Sequence, residues 1–62
     1  MSAEATDLRH LAPGTRFVRL WFPANGVYTV VNHPHGDIGV EVVTADGRRG
    51  ELLAWERVVP VN

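Results

Sequence analysis

Gly26-Val27-Tyr28-Thr29-Val30-Val31-Asn32-His33-Pro34-His35-Gly36-Asp37-Ile38-Gly39-Val40-Glu41-Val42-Val43-Thr44 is the stretch that decides the fold. It reads as two strands, 27–32 and 38–44, joined by the turn-rich segment His33 to Asp37. In the second, Ile38, Val40, Val42 and Thr44 share one face while Gly39, Glu41 and Val43 share the other, the period-2 pattern of a half-buried strand. Gly39 is expected to mark a bulge or sharp bend, as glycine inside a strand often does.

Working outward, the hairpin is extended on both sides. Upstream, Arg16-Phe17-Val18-Arg19-Leu20-Trp21-Phe22 is β-branched and aromatic and lies between Pro13-Gly14 and Pro23-Ala24-Asn25-Gly26, which predicts a first strand. Asn25-Gly26 predicts a two-residue type I′ turn, which needs positive φ at both positions. Both faces of this strand carry apolar residues, so one is core and the other is covered by the N-terminal arm or by a partner. Downstream, Asp46-Gly47 predicts a second primed turn, followed by a fourth strand from Arg49 to Trp55. Glu56-Arg57 reads as a short turn and Val58-Val59-Pro60-Val61 as the last strand. Pro60 must lie on an edge or at a bulge, since it has no N–H for a ladder.

At the N-terminus, Met1 to Thr6 lacks apolar periodicity and is expected to fray, leaving residues 7–62 as a single domain. Asp7 to Leu11 reads either as one helical turn capped by Thr6, with Leu8 and Leu11 on one face, or as an extended arm. Ala12-Pro13-Gly14 ends it, because the residue before proline is pushed out of the α region. The sum is an all-β, five-stranded small barrel, closed or nearly so, with a short N-terminal arm or helical turn.

Size and charge narrow the function. Sixty-two residues bury only about 60% of the surface the unfolded chain exposes, so stability margins are thin. No cysteine is present, so a dense core, oligomerisation or a partner must supply the staple. The net charge of −1 argues against a dedicated nucleic-acid binder, which usually carries a basic surplus. No apolar run approaches the roughly 18 residues that span a bilayer, and residues 1–13 do not resemble a signal peptide, so a cytoplasmic protein is expected.

The order of elements resembles that of SH3-like small barrels. More narrowly, Asp7-Leu8, Leu11-x-Pro13-Gly14-Thr15-Arg16-Phe17, Tyr28-Thr29-Val30-Val31, Asp46-Gly47 and Val58-Val59-Pro60-Val61 resemble small uncharacterised proteins of actinobacteria and their bacteriophages. The resemblance covers residues 7–62 and rests on turn, strand and core residues. It implies a fold and a genomic setting, in which an accessory or regulatory protein would act on a host factor, and it transfers no catalytic residue.

Three groups of residues are candidates for function. Trp21, Phe22, Tyr28 and Trp55 form either a partner-binding face or the filling of a small barrel, with core favoured for Phe17 and Tyr28. Arg16, Arg19, Arg48, Arg49 and Arg57 could meet phosphate or an acidic protein surface, but Glu41, Glu51 and Glu56 on the same strands favour a mixed-charge solvated face. From these groups Trp21, Phe22, Tyr28, Trp55, Arg19, Arg48 and Arg49 are taken as the partner-binding set. His33, His35 and Asp37 are ligand types for Zn²⁺ or Ni²⁺, yet a fourth ligand would require His10 to fold over, and a solvated loop is the favoured reading. No metal site, cofactor or catalytic residue is assigned.

Three functions are thereby ranked. A non-enzymatic module that binds a protein partner comes first, with self-association through the same face compatible. A nucleic-acid-binding barrel is second. An oligomeric enzyme similar to the type II dihydrofolate reductases is third. Their pore-lining Val-Gln-Ile-Tyr run is absent; Arg49-Gly50-Glu51-Leu52-Leu53 stands in the corresponding region.

Overall fold

The computed structural model describes residues 4–33 and 38–61. The architecture is all-β: six antiparallel strands, β1 (Thr6–Asp7), β2 (Arg16–Arg19), β3 (Val27–Asn32), β4 (Gly39–Thr44), β5 (Arg49–Leu53) and β6 (Arg57–Val61), in one sheet of order β1-β6-β2-β3-β4-β5. The expected count of five is therefore one short. Thr6, expected to fray, lies opposite Val58 and Asp7 lies opposite Arg57. Two residues are too few to display a period of 2, which is why this strand escapes a pattern reading.

The sheet is also not closed. Its edges are β1 and β5, and β1 is cut short by a 3₁₀ turn at Leu8–His10, so it offers β5 no ladder. Instead Leu8 N donates to Glu56 O (2.9 Å) and Arg9 N to Ala54 O (2.8 Å), fastening the arm to the link between β5 and β6. Both N-terminal readings are thus realised in succession, strand and then turn. Thr6 is not the cap, since Asp7 occupies that position, its side chain making no capping bond, whereas Thr6 Oγ1 pairs with His10 Nδ1 at 3.2 Å.

The core is built by the inward faces of the strands together with the 3₁₀ turn. Leu8, Leu11, Phe17, Val30, Val40, Val42, Ala54 and Val58 are buried in one cluster, with Tyr28 and Leu52 packed against it. Phe17 settles which face of β2 is core. It lies opposite Tyr28 on β3, and the two rings stack with centroids 5.5 Å apart and planes 14° from parallel. Such a cross-strand aromatic pair adds on the order of 1 kcal/mol beyond area burial. Ile38, expected on the same face as Val40 and Val42, precedes the strand and is exposed.

The turns follow their chemistry with two corrections. Pro13-Gly14 forms the expected turn: Thr15 N donates to Ala12 O at 3.1 Å and Gly14 has φ +91°, which a type II turn requires at its third residue. Asn25-Gly26 is not a type I′ turn. Pro23–Asn25 forms a 3₁₀ turn with proline at its start, φ is positive at Gly26 alone, and β2 ends at Arg19 rather than Phe22. Asp46-Gly47 does make the β4–β5 hairpin, but not as a primed turn. Gly47 N donates to Thr44 O (3.0 Å), Thr44 N to Arg48 O (2.8 Å), and only Gly47 has positive φ. A turn of this kind followed by one left-handed glycine is a common alternative hairpin closure.

The bulge is likewise not at Gly39. Val30 pairs with Val42 and Asn32 with Glu41, which leaves Val31 as the extra residue on β3. Gly39 pairs regularly with Leu53, and a Cβ there would come within 2.9 Å of the Glu51 carboxyl. The end of the Glu51 side chain lies over it. β5 stops at Leu53, short of Trp55, because Glu56 N turns back to Leu53 O at 3.0 Å. Pro60 satisfies its constraint through register. Leu20 N donates to Arg57 O, so bonded pairs recur at Val18–Val59 and Arg16–Val61. Pro60, opposite Phe17, falls between them with its nitrogen turned from β2, on a side that β1 covers only at Arg57 and Val58.

Candidate contact surface

The site is organised by an ion pair that joins distant parts of the chain. Arg19, the last residue of β2, reaches Glu56, just ahead of β6. Nε donates to Oε2 and Nη2 to Oε1, each at 3.2 Å. The Arg19 and Glu56 side chains retain 20% and 14% exposure, so the pair is shielded enough to matter. Fork-to-fork geometry of this kind is the stronger class of charged contact. The Glu56 carboxylate raises the Arg19 pKa above its ordinary value, with desolvation opposing and Tyr28 adding to the rise, so the guanidinium stays charged. Its Cζ also stands 4.5 Å from the centroid of the Phe22 ring, a cation–π contact worth about 0.5–1 kcal/mol near solvent.

The segments joined by this pair carry large apolar side chains that the described residues leave exposed. Trp21 is 70% exposed, Trp55 54% and Phe22 50%, and Leu20 and Leu53 are also exposed. Each tryptophan lies within two residues of one member of the pair: Trp21 follows Arg19 by two and Trp55 immediately precedes Glu56. The reason is local. β2 ends at Arg19, Leu20 N still reaches Arg57 O, and Phe22 N turns back to Arg19 O before the 3₁₀ turn led by Pro23; Trp55 lies in the tight turn closed by Glu56 N and Leu53 O.

The predicted partner-binding residues are therefore divided. Phe22 packs on Arg19, and Trp21 and Trp55 are exposed on the segments that the Arg19–Glu56 pair joins. Tyr28 is half-buried, its ring stacked on Phe17 while its side chain also meets Arg19, so it joins the core to this surface. Arg48 and Arg49 are at the β4–β5 hairpin, at the start of β5 and separated by that strand from Leu53. Arg48 lies 3.4 Å from Asp46, and Arg49 Nη1 donates to Glu41 at 3.4 Å. Arg57 is occupied by Asp7 at 2.9 Å, and its hydrogen bond is the main cause of a lowered Asp7 pKa. Glu56, read both as part of a short turn and as one of three glutamates pairing with the arginines, makes that pairing with Arg19; no local signal marks which arginine, 37 positions away, it meets.

For the metal-ligand types, His35 and Asp37 lie outside the described residues. His33 Nε2 donates to the Leu11 carbonyl at 2.8 Å, pinning the end of β3 to the N-terminal turn and placing the ring proton on that nitrogen. Among the described residues no three His, Asp or Glu side chains gather as a metal site would need. Nor is any helix among them long and apolar enough to cross a membrane.

Compared with protein-family models, curated proteins and solved structures, the chain matches none.

Proposed function

We propose that this chain is a non-enzymatic binding module that recognises a protein partner through the surface around Arg19 and Glu56. The observation that carries the reading is that Trp21, Phe22 and Trp55, each at least half exposed, flank in sequence the two members of a shielded ion pair that joins their segments. Tryptophan and arginine are the side chains that most often anchor protein interfaces. Exposed aromatic groups also cost a small domain solubility unless something covers them. A phosphate-bearing partner is less well served: Arg9, Arg19, Arg48, Arg49 and Arg57 each lie within 3.4 Å of a carboxylate oxygen. The proposal includes an SH3-like fold. In support, β2 to β5 follow one another as neighbours, a three-residue turn leads to the last strand, and that strand returns beside the first of the series. An accessory role in an actinobacterium or its bacteriophage goes with it.

Affinity capture from a lysate of the source organism tests the reading, comparing the wild type with Trp21→Ala and Trp55→Ala after far-UV circular dichroism shows both variants folded. A specific protein retained by the wild type and lost from either variant is the expected result. Equal capture by all three would refute the surface, and a binding loss that tracks added salt alone would favour a nucleic acid.

A further inference from the structure

β5 is an edge of the sheet, and its pairing with β4 fixes which backbone groups face outward. Thr44 N donates to Arg48 O at 2.8 Å, and Ala54 N to Ile38 O at 3.0 Å. Both belong to the single register that sets Val42 opposite Gly50 and Glu41 opposite Glu51. Because bonded and non-bonded pairs alternate, Gly50 and Leu52 direct their N–H and C=O at β4, while Arg49, Glu51 and Leu53 direct theirs to the open side. An edge of this kind is a template for another strand.

We propose that this edge is a self-association surface: β5 of one copy pairs antiparallel with β5 of a second copy about a two-fold axis at Gly50, so that Arg49 of each lies opposite Glu51 of the other. The occupant is chosen by charge. An axis at Arg49 would oppose two guanidinium groups, and an axis at Glu51 would oppose two carboxylates, both unfavourable across strands. An axis at Leu52 would rely on Leu53, whose carbonyl already accepts from Glu56 N. The axis at Gly50 alone matches outward backbone groups with opposite charges, and it does so twice by symmetry. Gly50 fits the axis, where the strands approach most closely, because it has no side chain and a Cβ there would meet nothing within 4 Å. The Arg49 side chain is 73% exposed and its 3.4 Å contact with Glu41 is a solvent-facing one, so pairing with Glu51 of a second copy would add to or replace it.

A charge-swap experiment tests register and occupant together. Sedimentation velocity from micromolar to millimolar concentration should show the wild type passing from monomer to dimer. Arg49→Glu and Glu51→Arg should each weaken self-association by about tenfold or more, since each turns two attractive cross-strand pairs into repulsive ones. An equimolar mixture of the two variants should restore dimer to within about threefold of the wild type, because only the mixed pair recovers both opposite-charge contacts. That recovery also shows that both variants are folded. A wild type that stays monomeric throughout, a dimer indifferent to both reversals, or a mixture no tighter than its components would overturn the proposal. A dimer lost in Trp21→Ala but kept in Arg49→Glu would assign self-association to the aromatic surface and equally overturn it.

Discussion

Arg19 and Glu56, 37 positions apart, are joined by two 3.2 Å hydrogen bonds and between them fasten the end of β2 to the start of β6. The pair matters because an Arg19 side chain only 20% exposed has lost part of its hydration and takes the carboxylate in exchange. Replacing Glu56 by Ala should cost roughly 1–2 kcal/mol, between the values for fully exposed and fully buried pairs. Glu56→Gln, which keeps an acceptor, should cost less. The urea midpoint of each variant checks the order; equal midpoints for wild type and Glu56→Ala would show the pair to be idle.

The core offers little margin. Phe17 is fully buried and stacked on Tyr28, and truncation of such a ring costs about 3–5 kcal/mol. A domain of this size has a total stability of the same order, so Phe17→Ala should be unfolded at 25 °C. Phe17→Leu should remain folded with a lower melting temperature. Circular dichroism melts distinguish the two, and a cooperative native-like transition in Phe17→Ala would contradict the placement of this ring.

Two glycines should respond oppositely to alanine. Gly47 has φ +90°, a conformation that costs a side-chain-bearing residue on the order of 1 kcal/mol, so Gly47→Ala should lower stability by about that amount. Gly39 has an ordinary φ and faces the end of the Glu51 side chain, a flexible group that can move aside. Gly39→Ala should therefore stay within about 0.5 kcal/mol of the wild type. Thermal melts of both variants measure the contrast, and a Gly39→Ala loss as large as that of Gly47→Ala would refute it.

Much of this fold was legible and its gaps have identifiable causes. Alternation in Val40 and Val42 announces a strand because one face is buried, and Pro13-Gly14 announces its turn because proline and glycine each preset φ. Asn25-Gly26 misleads because Pro23 two residues earlier starts a 3₁₀ turn that absorbs Asn25. The strand at Thr6–Asp7 is induced by Arg57 and Val58, and a two-residue strand carries no period. For the site, exposed Trp21 and Trp55 were readable as candidates, whereas their link through Arg19 and Glu56 exists only after the chain has folded.

The N-terminal strand should be sensitive to acid. Arg57 donates to Asp7 at 2.9 Å, and this bond holds the Asp7 carboxyl below its ordinary pKa. A lowered folded-state pKa means the contribution is complete above the unfolded pKa and is lost as pH falls through the folded value. Stability should thus decline on acidification below about pH 4, and Asp7→Asn should flatten that part of the curve. Urea titrations from pH 6 to pH 2.5 follow it; parallel curves for the two proteins would deny Asp7 the role.

The most direct test of the contact surface is collisional quenching of Trp21 and Trp55, the two tryptophans of the chain, with and without the captured partner. Trp21→Phe and Trp55→Phe report each ring singly, and iodide should reach both in the free protein, as their exposures of 70% and 54% require. Saturating partner should sharply reduce iodide access to both rings. Unchanged access to both in a complex that has formed would contradict the account and place the interface elsewhere.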